Sequence, residues 1–86
     1  MAVYKIEIKR SAAKELEKIR GKTRERIVEK IRSLADDPRP IHAKKLSGEE
    51  KYRIRIGDYR VLFKVNDLVV TVVVVKIGHR RDVYRK

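Results

Sequence analysis

Ten residues near the C-terminal end, Leu68 to Ile77, read LVVTVVVVKI. The run is far shorter than the roughly 20 apolar residues a membrane-spanning helix needs. Its apolar side chains fall on both parities of an extended chain, so neither face of such a strand can be left in water. The run therefore has to be a central strand, covered on both sides. The rest of an 86-residue chain must supply its neighbours and its cover, which leaves room for one domain, residues 1–86, with one small core.

The neighbours are legible upstream. Tyr52 to Ile56 and Tyr59 to Val65 read as strands, and the two-residue turns Gly57-Asp58 and Asn66-Asp67 join them to each other and to the valine run as a meander. From Val3 to Lys9, Tyr4, Ile6 and Ile8 alternate with Lys5, Glu7 and Lys9, the period of a half-buried strand. Between these lie two amphipathic helices. Ser11 is a candidate cap for the first, which carries Ala12, Leu16 and Ile19 on one side and stops near Arg20, where Gly21 supplies a left-handed residue. Thr23 is a candidate cap for the second, which carries Ile27, Ile31 and Leu34 on one face and ends before Pro38 and Pro40. Pro38 to Glu50 reads as a connecting loop. The expected fold is α+β: an N-terminal strand, a two-helix hairpin, and a three-stranded antiparallel meander forming one sheet with the helices packed on one face.

Charge narrows the function. The chain holds 24 Lys and Arg against 12 Asp and Glu, a formal net charge of +12, with 42% apolar residues. It has the apolar content to fold and a surface suited to a polyanion, so nucleic acid is the leading partner and an acidic protein the second. The absence of cysteine excludes disulfides, thiolate catalysis and cysteine-based metal sites. No carboxylate pair, nucleophile elbow or phosphate loop is present, so neither a metal nor a cofactor is expected. The N-terminal residues are too charged for a signal peptide, and the expected location is the cytoplasm, with no membrane partner.

A two-residue hairpin at Gly57-Asp58 sets Ile56 against Tyr59, Arg55 against Arg60, Ile54 against Val61, Arg53 against Leu62 and Tyr52 against Phe63. One face is then apolar, and the other carries Arg53, Arg55 and Arg60. Directly opposed like charges weaken a sheet by up to roughly 1 kcal/mol, which makes sense where an anion sits between them. The last strand returns antiparallel and brings Gly78, His79, Arg80, Arg81 and Tyr84 to the same end. Guanidiniums suit phosphate, since their planar donors bind two oxygens at once. His79, Lys44, Lys45, Lys51, Arg53 and Arg81 are candidate RNA-binding residues around that centre. Tyr4, Tyr52 and Tyr59 fall in core-facing registers.

The run YRIRIGDYRVLFKV, the apolar strand after it and the ending GHRRDVY together resemble the RelE/ParE toxins, and the similarity extends over essentially the whole chain. RelE-like members cleave mRNA in the ribosomal A site; ParE-like members share the fold and inhibit DNA gyrase. The resemblance implies a ribosome-dependent, metal-independent endoribonuclease in which Arg55 and Arg60 hold the scissile phosphate, Arg80 serves the leaving group and Tyr84 is the general base. It also implies a cognate antitoxin and contact with mRNA and ribosomal RNA, the chain being a monomeric toxin or part of a toxin-antitoxin hetero-oligomer. Arginines stand where some members have lysines, which keeps charge but removes a proton-shuttling amine at Arg55. A gyrase inhibitor without ribonuclease activity and a non-catalytic RNA-binding module are the other classes this sequence fits.

Overall fold

The computed structural model describes residues 3–46 and 50–79. One sheet contains β1 (Lys5–Ile8), β2 (Lys44–Lys45), β3 (Lys51–Ile56), β4 (Tyr59–Asn66) and β5 (Thr71–His79); helices α1 (Arg10–Lys18) and α2 (Gly21–Ser33) lie between β1 and β2 in the chain. The strand order is β1-β5-β4-β3-β2. The valine-rich strand is central, with β4 antiparallel on one side and β1 parallel on the other. The architecture is the expected α+β, but the sheet is mixed and larger than a three-stranded meander. Lys44 and Lys45, expected in a loop, form a short edge strand against Arg53 and Tyr52.

Helix ends follow burial more than local signals. Ser11 does not cap α1; Lys9 is the N-cap, with no side-chain cap bond. The helix stops at Lys18 because Ile19 is extended, at ψ 134°, and this places its side chain in the core at 5% exposed. Gly21 takes the left-handed φ of 71° expected of it, yet as the first residue of α2, so Thr23 lies inside that helix. Ala12, Ile19, Ile27, Ile31 and Leu34 then meet the inward residues of β3, β4 and β5 in one core. Tyr52 stacks on its cross-strand partner Phe63 at 5.7 Å between ring centroids.

The β4–β5 connection differs from the expected two-residue turn. Asp67 to Val70 form a four-residue turn in which Asn66 Oδ1 accepts from the backbone N–H groups of Leu68 and Val69, at 3.0 and 3.2 Å. Val70 closes it at φ 48°, a left-handed conformation that costs a β-branched residue of order 1–3 kcal/mol. Further along, Leu62 pairs with Lys76 and Phe63 with Val74, leaving Val75 as a bulge. Without that extra residue, the alternation that buries Val72 and Val74 would drive Lys76 into the core. With it, Ile77 is buried and Lys76 exposed. Turn and bulge together move the register, so that Arg60 meets Gly78, whereas a two-residue turn would have set it against Val73.

Arg39, between Pro38 and Pro40, ties the loop after α2 to the sheet. Its Nε donates to Tyr52 Oη at 2.9 Å, Nη1 and Nη2 donate to the two Asp67 oxygens at 3.2 and 2.8 Å, and Nη2 also donates to Glu50 at 3.2 Å. Tyr52 donates to Glu50 at 2.8 Å and Tyr4 to Asp67 at 2.6 Å. These bonds, from Arg39 first and Tyr4 second, hold the Asp67 carboxyl below its ordinary value; the Tyr52 hydroxyl and then Arg39 do the same for Glu50. Carboxyls depressed in the folded state stabilise it above the unfolded carboxylate pKa of about 4, and that contribution is lost as pH falls through the lowered values. Thermal melts from pH 7 to pH 2 are therefore expected to stay level above about pH 5 and to decline below about pH 4. In Arg39→Ala the neutral-pH midpoint is lower and the acid decline shallower; an acid decline as steep as wild type would show that other carboxyls set it.

Candidate nucleic-acid interface

Gly57, at φ 59°, supplies the left-handed residue that a two-residue hairpin requires, and the register beyond it is the expected one. Ile56 pairs with Tyr59, Arg55 with Arg60, Ile54 with Val61, Arg53 with Leu62, and Tyr52 with Phe63. Alternation sends Tyr52, Ile54 and Ile56 into the core. It leaves Lys51, Arg53 and Arg55 on the other face, where Lys44 stands opposite Arg53, Lys64 opposite Lys51, Arg60 opposite Arg55, and Lys76 opposite Leu62. Glu7 is the one strand carboxylate among the described residues; it lies far off on the β1 edge, 3.9 Å from Lys5.

A sheet face this cationic is poor design for stability alone, because each opposed pair of like charges is destabilising. Arg60 is the extreme case, since its residue is 2% exposed and a buried guanidinium has to be met by groups that compensate its charge. Arg55 and Arg60 border a small hollow of about 30 Å³ with Gly57, Asp58 and Tyr59. Beside it, His42, Lys44, Arg53 and Arg55 line an open hollow of about 340 Å³. A larger hollow of about 490 Å³ between α1 and β5 has Glu15 and Lys76 as its charged lining residues, a balance less suited to an anion than two arginines.

The structure brings together Arg53, Arg55, Arg60, Lys44 and Lys51. It separates two other candidates from them. Lys45 pairs with Tyr52, on the helix side of the sheet, and lies 3.7 Å from Glu50. His79 pairs with Tyr59, again on the helix side, with the rings edge to face at 5.6 Å. Arg80, Arg81 and Tyr84 lie outside the described residues. Sequence reasoning leaves out Lys64 and Lys76 and sets His42 aside as a loop residue. The alternation of β4 was a sufficient signal for Lys64, but Lys76 depended on the bulge and His42 on how the loop folds. Among the described residues no group of three or more His, Cys, Asp or Glu could hold a metal ion, and no helix is long and apolar enough to cross a membrane.

Residues 6–84 match the ParE toxin family of type II toxin-antitoxin systems, parDE. Toxin RelG of Mycobacterium tuberculosis is 40% identical over 35 residues, a match that covers 41% of this chain and 40% of the length of that toxin. Among solved structures, the RelBE2 toxin-antitoxin complex of Mycobacterium tuberculosis contains a chain that superposes with a TM-score of 0.78 at 27% identity, covering 91% of this chain and 99% of its own. The archaeal RelE-RelB complex of Pyrococcus horikoshii gives 0.80 at 26% identity, covering 91% and 96%. The intact E. coli RelBE complex gives 0.79 at 27% identity, covering 88% and 95%. With the fold and a family match over nearly its whole length in agreement, the chain belongs to the ParE toxin family of type II toxin-antitoxin systems, within the RelE/ParE superfamily.

Proposed function

We propose that the protein is the toxin of a toxin-antitoxin pair and acts as a metal-independent endoribonuclease, cutting mRNA in the ribosomal A site and so stopping translation in the cytoplasm. The observation that carries this reading is Arg55 set directly opposite a buried Arg60 on a cationic sheet face. A base takes the proton of the 2'-hydroxyl, the 2'-oxygen attacks phosphorus, and the bond to the 5'-oxygen breaks, that oxygen taking its proton from water. Arg55 and Arg60 stabilise the charge of the crowded phosphorane. Tyr84 is the base that takes the 2'-hydroxyl proton. Arg80 acts at the leaving oxygen by charge, since a guanidinium does not give up its proton below about pH 12. Lys44, Lys51, Arg53 and Arg81 hold flanking phosphates. The three solved structures described above are complexes of such a toxin with its partner, and an acidic amphipathic segment fits a chain of net charge +12.

The family match to ParE toxins favours a second reading, inhibition of DNA gyrase. Gyrase supercoiling and in vitro translation, titrated with the same preparation, separate the two. The expected result is that translation stops at concentrations that leave supercoiling intact. Supercoiling lost at concentrations that leave translation running would move the protein to the gyrase branch.

A further inference from the structure

We propose that His42, Lys44, Arg53 and Arg55 form a second anion site, which takes the phosphodiester next to the one at the Arg55–Arg60 end, and that Arg39 is the positioning residue that assembles it. The proposal rests on the ribonuclease reading and deepens it. The four side chains line one open hollow, and no carboxylate of the described residues lines it with them. Lys44 and Arg53 are register partners. Arg55 follows on the same face of β3, roughly 7 Å further along the strand, and also borders the small hollow that holds Arg60. One guanidinium is thus shared by two anion positions spaced along a strand, an arrangement suited to a polymer with a charge on every unit. The second position opens on β2, the edge strand of the sheet.

Lys44 is held there against charge repulsion, with His42 beside it. The backbone N–H of Ala43 donates to the Pro40 carbonyl at 2.9 Å, so Ile41 and His42 are the central residues of a closed turn. Downstream, the β2–β3 pairing fixes that turn at Lys44. Upstream, Arg39 fixes it through Asp67, Tyr52 and Glu50, one residue before the turn begins. Loss of the Arg39 bonds frees the turn at one end and lets His42 and Lys44 withdraw from Arg53.

The test uses the full-length protein and an uncleavable 2'-O-methyl oligoribonucleotide, with affinity measured across salt concentrations and folding checked by thermal melting. His42→Ala/Lys44→Ala is compared with Lys14→Ala/Lys22→Ala, which removes exposed charge from the helices instead. The hollow's double variant is expected to bind roughly tenfold more weakly, the lower range for one charge-assisted contact, with the log–log salt slope reduced by about 0.7, one single-strand phosphate. Arg39→Ala is expected to lose the same slope and to raise KM for ribosome-bound mRNA while kcat stays within about twofold. Equal losses in both double variants would reduce the site to general charge and overturn the proposal. Unchanged RNA affinity in the hollow's variant, with binding of an acidic polypeptide weakened, would make the hollow a protein subsite and overturn it as well. A fall in kcat for Arg39→Ala with KM unchanged would overturn the positioning role. Failure of the wild type to bind this RNA at all would sink the ribonuclease reading first, an outcome distinct from the others.

Discussion

Changing Tyr84 to phenylalanine is expected to lower single-turnover cleavage of ribosome-bound mRNA by a factor of roughly 100 to 10,000, the usual cost of removing a general base. The substitution deletes one oxygen and keeps the aromatic ring, so melting and antitoxin binding are expected to stay at wild-type values. His79→Ala is the companion variant. His79 pairs with Tyr59 on the helix side of the sheet, while Arg55 and Arg60 pair on the other, so its loss is expected to cost less than about tenfold. Full cleavage by Tyr84→Phe together with inactive His79→Ala would transfer the base role to the imidazole and undo the assignment.

Arg60 gives the second large effect. The residue is 2% exposed, so alanine would remove a packed stem along with the charge. Arg60→Met keeps a long apolar side chain in that space and removes only the guanidinium. Cleavage is expected to fall by roughly 100 to 1,000-fold, as when one preorganised donor to developing charge is lost. The thermal midpoint is expected to move by less than roughly 8 °C, about 1 kcal/mol for a domain of this size, because repulsion with Arg55 is relieved as the charge goes. Retained cleavage, or a folding collapse shared by Arg60→Met and Arg60→Lys, would make the arginine structural.

The parts of this molecule that could be read in advance are those set by alternation. The Gly57-Asp58 turn fixes the β3–β4 register, and from it follow the apolar face of Tyr52, Ile54 and Ile56 and the arginines behind it. The valine run by itself demands an interior strand, and β5 lies between β1 and β4. What could not be read depended on contacts distant in sequence. Val75 bulges because Lys76 must leave the core, a constraint visible once β4 is in place. Ile19 breaks α1 early because burial outweighs one more helical turn. Nothing local in the sequence distinguishes Lys45 from Lys44, but the two-residue strand puts them on opposite faces. Arg39 offered one local signal, its position between two prolines, but its partners Glu50 and Asp67 are 11 and 28 residues away.

The most direct test of the central claim is primer extension on a reporter mRNA in a purified translation system, with and without ribosomes, after addition of the toxin. The account predicts cuts at discrete positions in mRNA carried by programmed ribosomes and little cutting of the same RNA when it is free. Those cuts disappear in Arg60→Met and on addition of the antitoxin. Rapid cutting of naked RNA would contradict ribosome dependence, and intact mRNA on stalled or running ribosomes would contradict the ribonuclease itself.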